Sequence, residues 1–211
     1  MGIVLGVTSS AAARRRPRAD KFEDRRRELA DAALATLADF GYARTSLRTI
    51  ADNTEFSHGL LHYYFADKIE LITYCVRRYK TACVQRYENL LAEASTLDGL
   101  AAACGDGLAA TLAEAPLMHR LWYDLRTQSM FEEAFRDDVA EIDGSLQNMI
   151  WRVVCAYADL GGMEPACSPS QAYALFDGLF QQALLRHLAG SETALDDLRA
   201  GARDLLPRLF V

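Results

Sequence analysis

His58 and His62 stand four residues apart, so on a helix both imidazoles leave from one face, a spacing that can hold a metal ion. The local sequence places no cysteine or carboxylate beside them to complete a ligand set. The same two rings, with Ser57, Leu60 and Tyr63 around them, can instead donate to, accept from or pack against the edges of bases. A second concentration of chemistry lies in PLMHRLWYDLRTQSMF, which gathers Met118, His119, Trp122, Tyr123, Met130 and Phe131, with Met149 and Trp151 following. Aromatic and methionine side chains with a few polar groups line concave small-molecule pockets, and at helical spacing they also build ordinary cores. His119 and His187 have no nucleophile pattern nearby. The chain has no Gly-rich phosphate loop, no G-x-S-x-G and no H-E-x-x-H. No catalytic centre is read from the sequence, and no metal or cofactor is implied.

The elements that must position the first group are short. In TSLRTIADNTEFSHGLLHYYF, Thr45 or Ser46 can cap a helical piece whose Leu47, Ile50 and Ala51 share a face. Asn53-Thr54-Glu55 is a poor place for a helix to continue, and Ser57 supplies a second cap. The second piece carries Leu61 and Tyr64 or Phe65 inward and leaves Ser57, His58, Leu60, His62 and Tyr63 outside. Two short helices around a tight break, the second with a polar and aromatic outer face, form a helix-turn-helix pattern whose exposed face fits a DNA major groove. A preceding helix is expected from Phe22 to Phe40, with Leu29, Ala33, Leu37 and Phe40 facing this pair and Gly41 as its stop.

Over LADAALATLADFGY, through the helix-turn-helix and on to Asp67-Lys68-Ile69-Glu70-Leu71, the chain resembles the DNA-binding segment of tetracycline-repressor-like (TetR family) transcriptional regulators. The resemblance implies double-stranded operator DNA as partner, with Thr45, Arg48, Ser57, His58, Leu60, His62, Tyr63 and Lys68 at the contact and Lys68 on a phosphate. It also implies an effector cavity among the middle helices, to which Met118, His119, Trp122, Tyr123 and Met149 are assigned. Two departures bear on the head. The family usually has glycine where Glu55 stands, so the turn either holds a non-glycine residue in a left-handed conformation or has another geometry. His62 occupies a position where the family often has tyrosine.

Composition agrees with an all-α fold: apolar residues make up 51% of the 211 and only five are proline. The formal charge is −6, but residues 1–80 carry 14 Lys+Arg against 10 Asp+Glu while the remainder carries 9 against 19, a basic head on an acidic body. Cys75, Cys83, Cys104, Cys155 and Cys167 make no C-x-x-C pair and leave an odd thiol, which fits a reducing cytosol. No uninterrupted apolar run is long enough to span a membrane, and the start has its charges after its apolar part, the reverse of a secretory signal.

The expected organisation is a flexible basic arm (residues 1–20), a helix-turn-helix domain (21–66) and a larger helical effector-binding and dimerisation domain (67–211). Asp67 and Glu70 open the fourth helix, expected to reach about Ala94, and further helices are expected at 97–114, 116–128, 130–161, 169–189 and 191–209, with a bend at Gly144. In QAYALFDGLFQQALLRHLAG, Tyr173, Phe176, Phe180 and Leu184 form one apolar stripe and Leu175, Leu179 and Leu188 another. A helix wet on one side needs one stripe, so the second calls for a partner, and the resemblance implies a homodimer through residues 169–209. A ligand-responsive repressor is the leading reading. The alternatives are a TetR-like ligand or protein binder that no longer binds DNA, and an all-α enzyme, for which no acid/base or metal set is found.

Overall fold

A computed structural model describes the backbone of residues 10–211 and the side chains of residues 20–37, 39–87 and 94–211. Most of the described residues are helical, and their one extended pairing is an isolated bridge between Pro165 and Phe210. The chain divides into two compact units, Met1–Ile72 and Thr73–Val211. Arg77, Arg78 and Lys80, three of the cations counted with the basic N-terminal part, belong to the second unit.

The first unit holds α1 (Ser10–Phe40), α2 (Leu47–Asp52), α3 (His58–Tyr64) and the opening turn of α4 (Lys68–Glu93). Its core is fully buried Leu29, Ala33 and Leu37 of α1, Ile50 of α2, and Leu61 and Phe65 from the third helix and its end. Phe40, expected to face inward, is 39% exposed. It sits in the last turn of α1, just before Gly41 turns the chain out with a φ of 70° and an N–H bond to the Leu37 carbonyl at 2.9 Å. The start of α1 also differs from expectation. It begins at Ser10, so residues 10–20 of the expected arm are helical, as suits the strong helix formers Ala11 to Arg16; residues 1–9 lie outside the described residues.

The second unit contains the remainder of α4, α5 (Leu97–Glu114), α6 (Pro116–Gln128), a 3₁₀ turn at Glu133–Phe135, α7 (Arg136–Gly161), α8 (Pro169–Leu188), α9 (Ala194–Leu205) and a 3₁₀ turn at Leu206–Leu209. Thr96 caps α5 through the Gly99 N–H, and Ser168 and Gln171 form a reciprocal capping box at α8, with Pro169 in the first turn where its missing N–H costs nothing. The backbones of α5 and α9 come so close at Gly105 that a Cβ there would lie 2.4 Å from the Arg199 carbonyl oxygen. Around that contact α7, α8 and α9 bury Ile142, Ile150, Val154, Phe176, Leu184 and Leu198. The single long helix expected from residue 130 is instead a turn and a 3₁₀ segment before α7, and Gly144 lies inside continuous helix. No helix among the described residues is long and apolar enough to cross a membrane.

Candidate DNA-reading face and effector cavity

The helix-turn-helix is set by its caps. Ser46 Oγ accepts from the Thr49 N–H at 3.0 Å, and Ser57 Oγ accepts from the Leu60 N–H at 3.2 Å. Between them Asn53 Nδ2 donates to the Thr49 carbonyl at 2.8 Å and the Phe56 N–H donates to Thr54 Oγ1 at 3.4 Å. No non-glycine residue among those described has a positive φ. The turn therefore accommodates Glu55 by its other geometry and stores no left-handed strain there.

With Leu61 and Phe65 locked in the core, α3 leaves Ser57, His58, His62 and Tyr63 exposed, Tyr63 at 68%, and Leu60 half-buried at the edge of the same face. The rings of His58 and His62 meet edge to face, with centroids 4.5 Å apart. Phe22 of α1 packs on Tyr64 at 4.6 Å and reaches the edge of Tyr63 at 6.2 Å, which holds the aromatic end of the face. Arg48 of α2 is exposed.

Two expected contact residues are occupied within the head. Thr45 is 3% exposed and its hydroxyl donates to the Gly41 carbonyl at 2.7 Å, so it braces the turn after α1 and does not stand on the outer face; a β-branched residue behind a left-handed glycine has that carbonyl within reach. Lys68 Nζ donates to the Tyr42 carbonyl at 3.1 Å and lies 3.8 Å from the centre of the Tyr42 ring, while remaining partly exposed. Asp67 caps α4 through the Glu70 N–H, but the return bond goes elsewhere: Glu70 accepts from the Ala66 N–H at 2.7 Å and from Arg26 of α1 at 2.6 Å.

The second unit holds a cavity of about 50 Å³. Of the residues assigned to it from sequence, His119, Trp122, Tyr123 and Met149 line it. Met118 does not: it is buried one position before His119 on α6, and so points to another face of that helix. Met130 and Phe131 are exposed, at 69% and 78%, in the turn after α6.

The polar groups of this cavity fall into two sets. In one, Arg126 donates from Nε to Asp143 at 3.0 Å and from Nη1 to Asp177 at 2.6 Å, while Tyr173 donates to the other oxygen of Asp143 at 2.5 Å and Tyr123 to the other oxygen of Asp177 at 2.9 Å. Each carboxylate oxygen has a donor, which is the condition for keeping such charges away from water. Burial first, and then the adjacent Asp177, pushes both tyrosine hydroxyls well above their ordinary range.

The other set is centred on Lys80 of α4, 7% exposed. Its Nζ lies 3.1 Å from His119 Nδ1 and 5.5 Å from the centre of the Trp122 ring. His119 Nε2 is 3.0 Å from the Thr111 carbonyl oxygen, which can only accept, so Nε2 carries the proton and Nδ1 accepts from Lys80. Burial, with the Lys80 charge second, lowers the imidazole to about 3, and burial lowers the Lys80 ammonium to about 8. One further buried donor has no hydrogen-bond partner, the Trp122 Nε1–H, and Trp122 lines the cavity; the Tyr87 hydroxyl, also in the lining, has the Thr111 side chain as its neighbour. Sequence reasoning missed Lys80, Asp177 and Tyr87. The signal was their register: Val76, Lys80, Cys83 and Tyr87 fall on one stripe of α4, and Asp177 interrupts the stripe of Tyr173, Phe180 and Leu184. Among the described residues no three His, Cys, Asp or Glu side chains gather to hold a metal.

Outside the cavity, the groove between α8 and α9 is lined by Ala174, Leu175, Gly178, Leu179, Gly201 and Leu205. Leu175, Leu185 and Leu188 of α8 are exposed, whereas Phe176, Phe180 and Leu184 are buried. The two stripes of this helix thus face opposite environments.

Residues 29–75 match the family model of bacterial regulatory proteins, tetR family. No curated protein matches the chain in sequence. Among solved structures, a TetR transcription regulator from Haloarcula marismortui superposes with a TM-score of 0.73 at 20% identity, covering 90% of this chain and 100% of that one. The transcriptional regulator FadR from Bacillus subtilis, in complex with stearoyl-CoA, gives 0.71 at 18% identity over 84% and 95% of the two chains. A transcriptional regulator described from Saccharomonospora viridis, in complex with choline, gives 0.70 at 17% identity over 90% and 98%.

Proposed function

We propose that this chain, whose residues 29–75 match the tetR-family model and whose fold is that of TetR regulators, is a cytoplasmic, ligand-responsive repressor that binds a palindromic operator as a homodimer and is released by a small molecule. The observation that carries the reading is α3: its buried Leu61 and Phe65 fix the helix, and the opposite face presents Ser57, His58, His62 and Tyr63 to solvent. Such a face has donors, acceptors and aromatic surface at the spacing a major groove accepts. His58 and Leu60 lie near the helix N-terminus and reach base edges. Arg48, Tyr63 and Lys68 bind phosphates, Lys68 with the N–H groups it does not give to Tyr42.

The dimer forms through α8 and α9, with Leu175, Leu185 and Leu188 as the surface that a second copy covers. Two heads on one dimer read a palindrome when their recognition helices stand about 34–36 Å apart, one turn of DNA. A small molecule in the cavity favours dimers with another spacing, and lowers DNA affinity by that preference alone. One neighbour of related fold is in complex with stearoyl-CoA and another with choline, which supports a ligand here without fixing its identity.

A second reading, a ligand-binding protein that has given up DNA, draws on Thr45 and Lys68 being engaged within the head. Fluorescence anisotropy with the DNA upstream of the protein's own gene separates the two. The repressor gives specific binding that exceeds its binding to random DNA by at least a thousandfold, the lower end for specific complexes; equal binding to both, or none, rejects it.

A further inference from the structure

Building on the effector cavity of the proposed function, we infer that the effector is a small apolar monocarboxylic acid whose carboxylate is held by Lys80 and Trp122. The cavity's polar groups divide into those already satisfied and those still waiting, and the division selects the ligand. Asp143 and Asp177 have every oxygen occupied by Arg126, Tyr123 or Tyr173, so they offer little to a cation. The unspent groups are all donors. Lys80 gives one N–H to His119 Nδ1 and has two more; the Trp122 indole N–H is buried with no partner.

A buried donor without a partner costs free energy that a folded protein seldom leaves uncompensated, and the Trp122 N–H, in one lining with an ammonium that has two N–H groups to spare, is compensated by a single acceptor entering the space. The acceptor that suits an ammonium is anionic, and a carboxylate has lone pairs for both Lys80 and the Trp122 N–H. His119 helps by remaining neutral: as the acceptor for Lys80 it holds the ammonium in place without adding a second positive charge.

The remaining wall sets the body of the ligand. Leu108, Leu146, Met149, Ile150, Phe176 and Phe180 are apolar. The space of about 50 Å³ is a few times what a single water needs by a comparable measure, which favours one ring or a short chain over a long lipid. Larger ligands have to displace side chains, of which Met149 is the most adaptable.

The test uses the full-length protein without DNA. Benzoate, phenylacetate, 3-phenylpropionate and hexanoate are titrated by calorimetry against their neutral amides and against benzylamine. At least one acid binds ten times or more tighter than its own amide and than benzylamine. In Lys80→Met, whose folding is checked by circular dichroism, that acid binds no better than its amide. Trp122→Phe keeps the ring and removes the unpartnered N–H; it lowers the acid's affinity severalfold and leaves the amide's nearly unchanged. The inference is overturned if no acid binds, if the amides or benzylamine bind as well, or if both variants keep the acid preference. A parallel anisotropy measurement on operator DNA separates the two levels: acids that bind the protein while no DNA is bound defeat the repressor reading alone, and DNA released only by a neutral or cationic compound defeats the carboxylate alone.

Discussion

Replacing Lys80 by methionine tests the electrostatics of the cavity in the absence of any ligand. The methionine retains most of the stem and removes the charge. Burial lowers the ammonium from 10.5 to about 8 in the folded protein, so the unfolded chain holds the proton more tightly. Wild-type stability therefore rises as the pH passes from about 8 to 10.5, where the folded protein is relieved of a proton it binds poorly. At 1.36 kcal/mol per pH unit, the native protein carries a penalty of roughly 3 kcal/mol at pH 7 and somewhat under 1 at pH 10. The variant carries none. It also leaves His119 Nδ1 without a donor, a cost of about 1–3 kcal/mol, but this term is the same at both pH values because the imidazole is neutral throughout. The quantity to measure is the difference in unfolding free energy between variant and wild type, from urea titrations at pH 7, 8, 9 and 10. That difference should move against the variant by about 2–3 kcal/mol from pH 7 to pH 10. A difference that stays flat over this range means that the ammonium is hydrated in solution, and the argument for a waiting cation falls with it.

Four other outcomes follow from the same structure. His119 is neutral in the folded protein down to about pH 3 and takes a proton below 6.5 when unfolded, so stability declines on acidification through that window; in His119→Gln the decline of the melting temperature should be shallower, and an unchanged profile would show that another group governs the acid limb. Leu185→Glu, at a 63% exposed position, should fold normally and sediment as a monomer, whereas a persistent dimer moves the interface away from α8. Lys68→Ala should weaken binding to all DNA sequences alike and flatten the salt dependence by about one unit of slope; an unaltered slope makes Lys68 a brace for Tyr42 only. His58→Ala or Leu60→Ala should relax preference at particular operator positions by about 1–3 kcal/mol, read from affinities on single-base variants, and intact preference in both refutes the docking.

Local signals in the sequence carried furthest where a residue acts on its own backbone. Gly41, Ser57, Pro116 and Pro169 end or begin helices because of their own φ, hydroxyl or missing N–H, and the structure places helix ends there. The break before α7 has no such residue: Met130 and Phe131 look like helix interior and are exposed in a turn, so the chain's path there is decided by packing elsewhere. The helix-turn-helix was legible because its apolar spacing and its two caps agree. Thr45 was misplaced because a hydroxyl that can cap a helix can equally bond the carbonyl four residues back. The cavity was half legible. Its aromatic side stood out by composition, but Lys80 and Asp177 were passed over because a charge is ordinarily an outside residue. Their place in an apolar stripe was the signal, and its meaning came only with the residues opposite, His119 from thirty-nine positions along the chain and Tyr123 from fifty-four positions before Asp177.

The knot made by Arg126, Asp143, Asp177, Tyr123 and Tyr173 joins α6, α7 and α8 and satisfies itself. Removing any one member leaves a polar group of the knot short of a partner, and removing Arg126 strands two carboxylates, whereas exchanging Leu108, Leu146 or Ile150 alters only shape. A laboratory wishing to make this protein a sensor for a chosen compound therefore has a division of labour already drawn for it. The apolar wall can be randomised for new ligand shapes while the knot is left as a fixed frame, and libraries that spare those five positions should contain a larger share of folded members than libraries of equal size that include them.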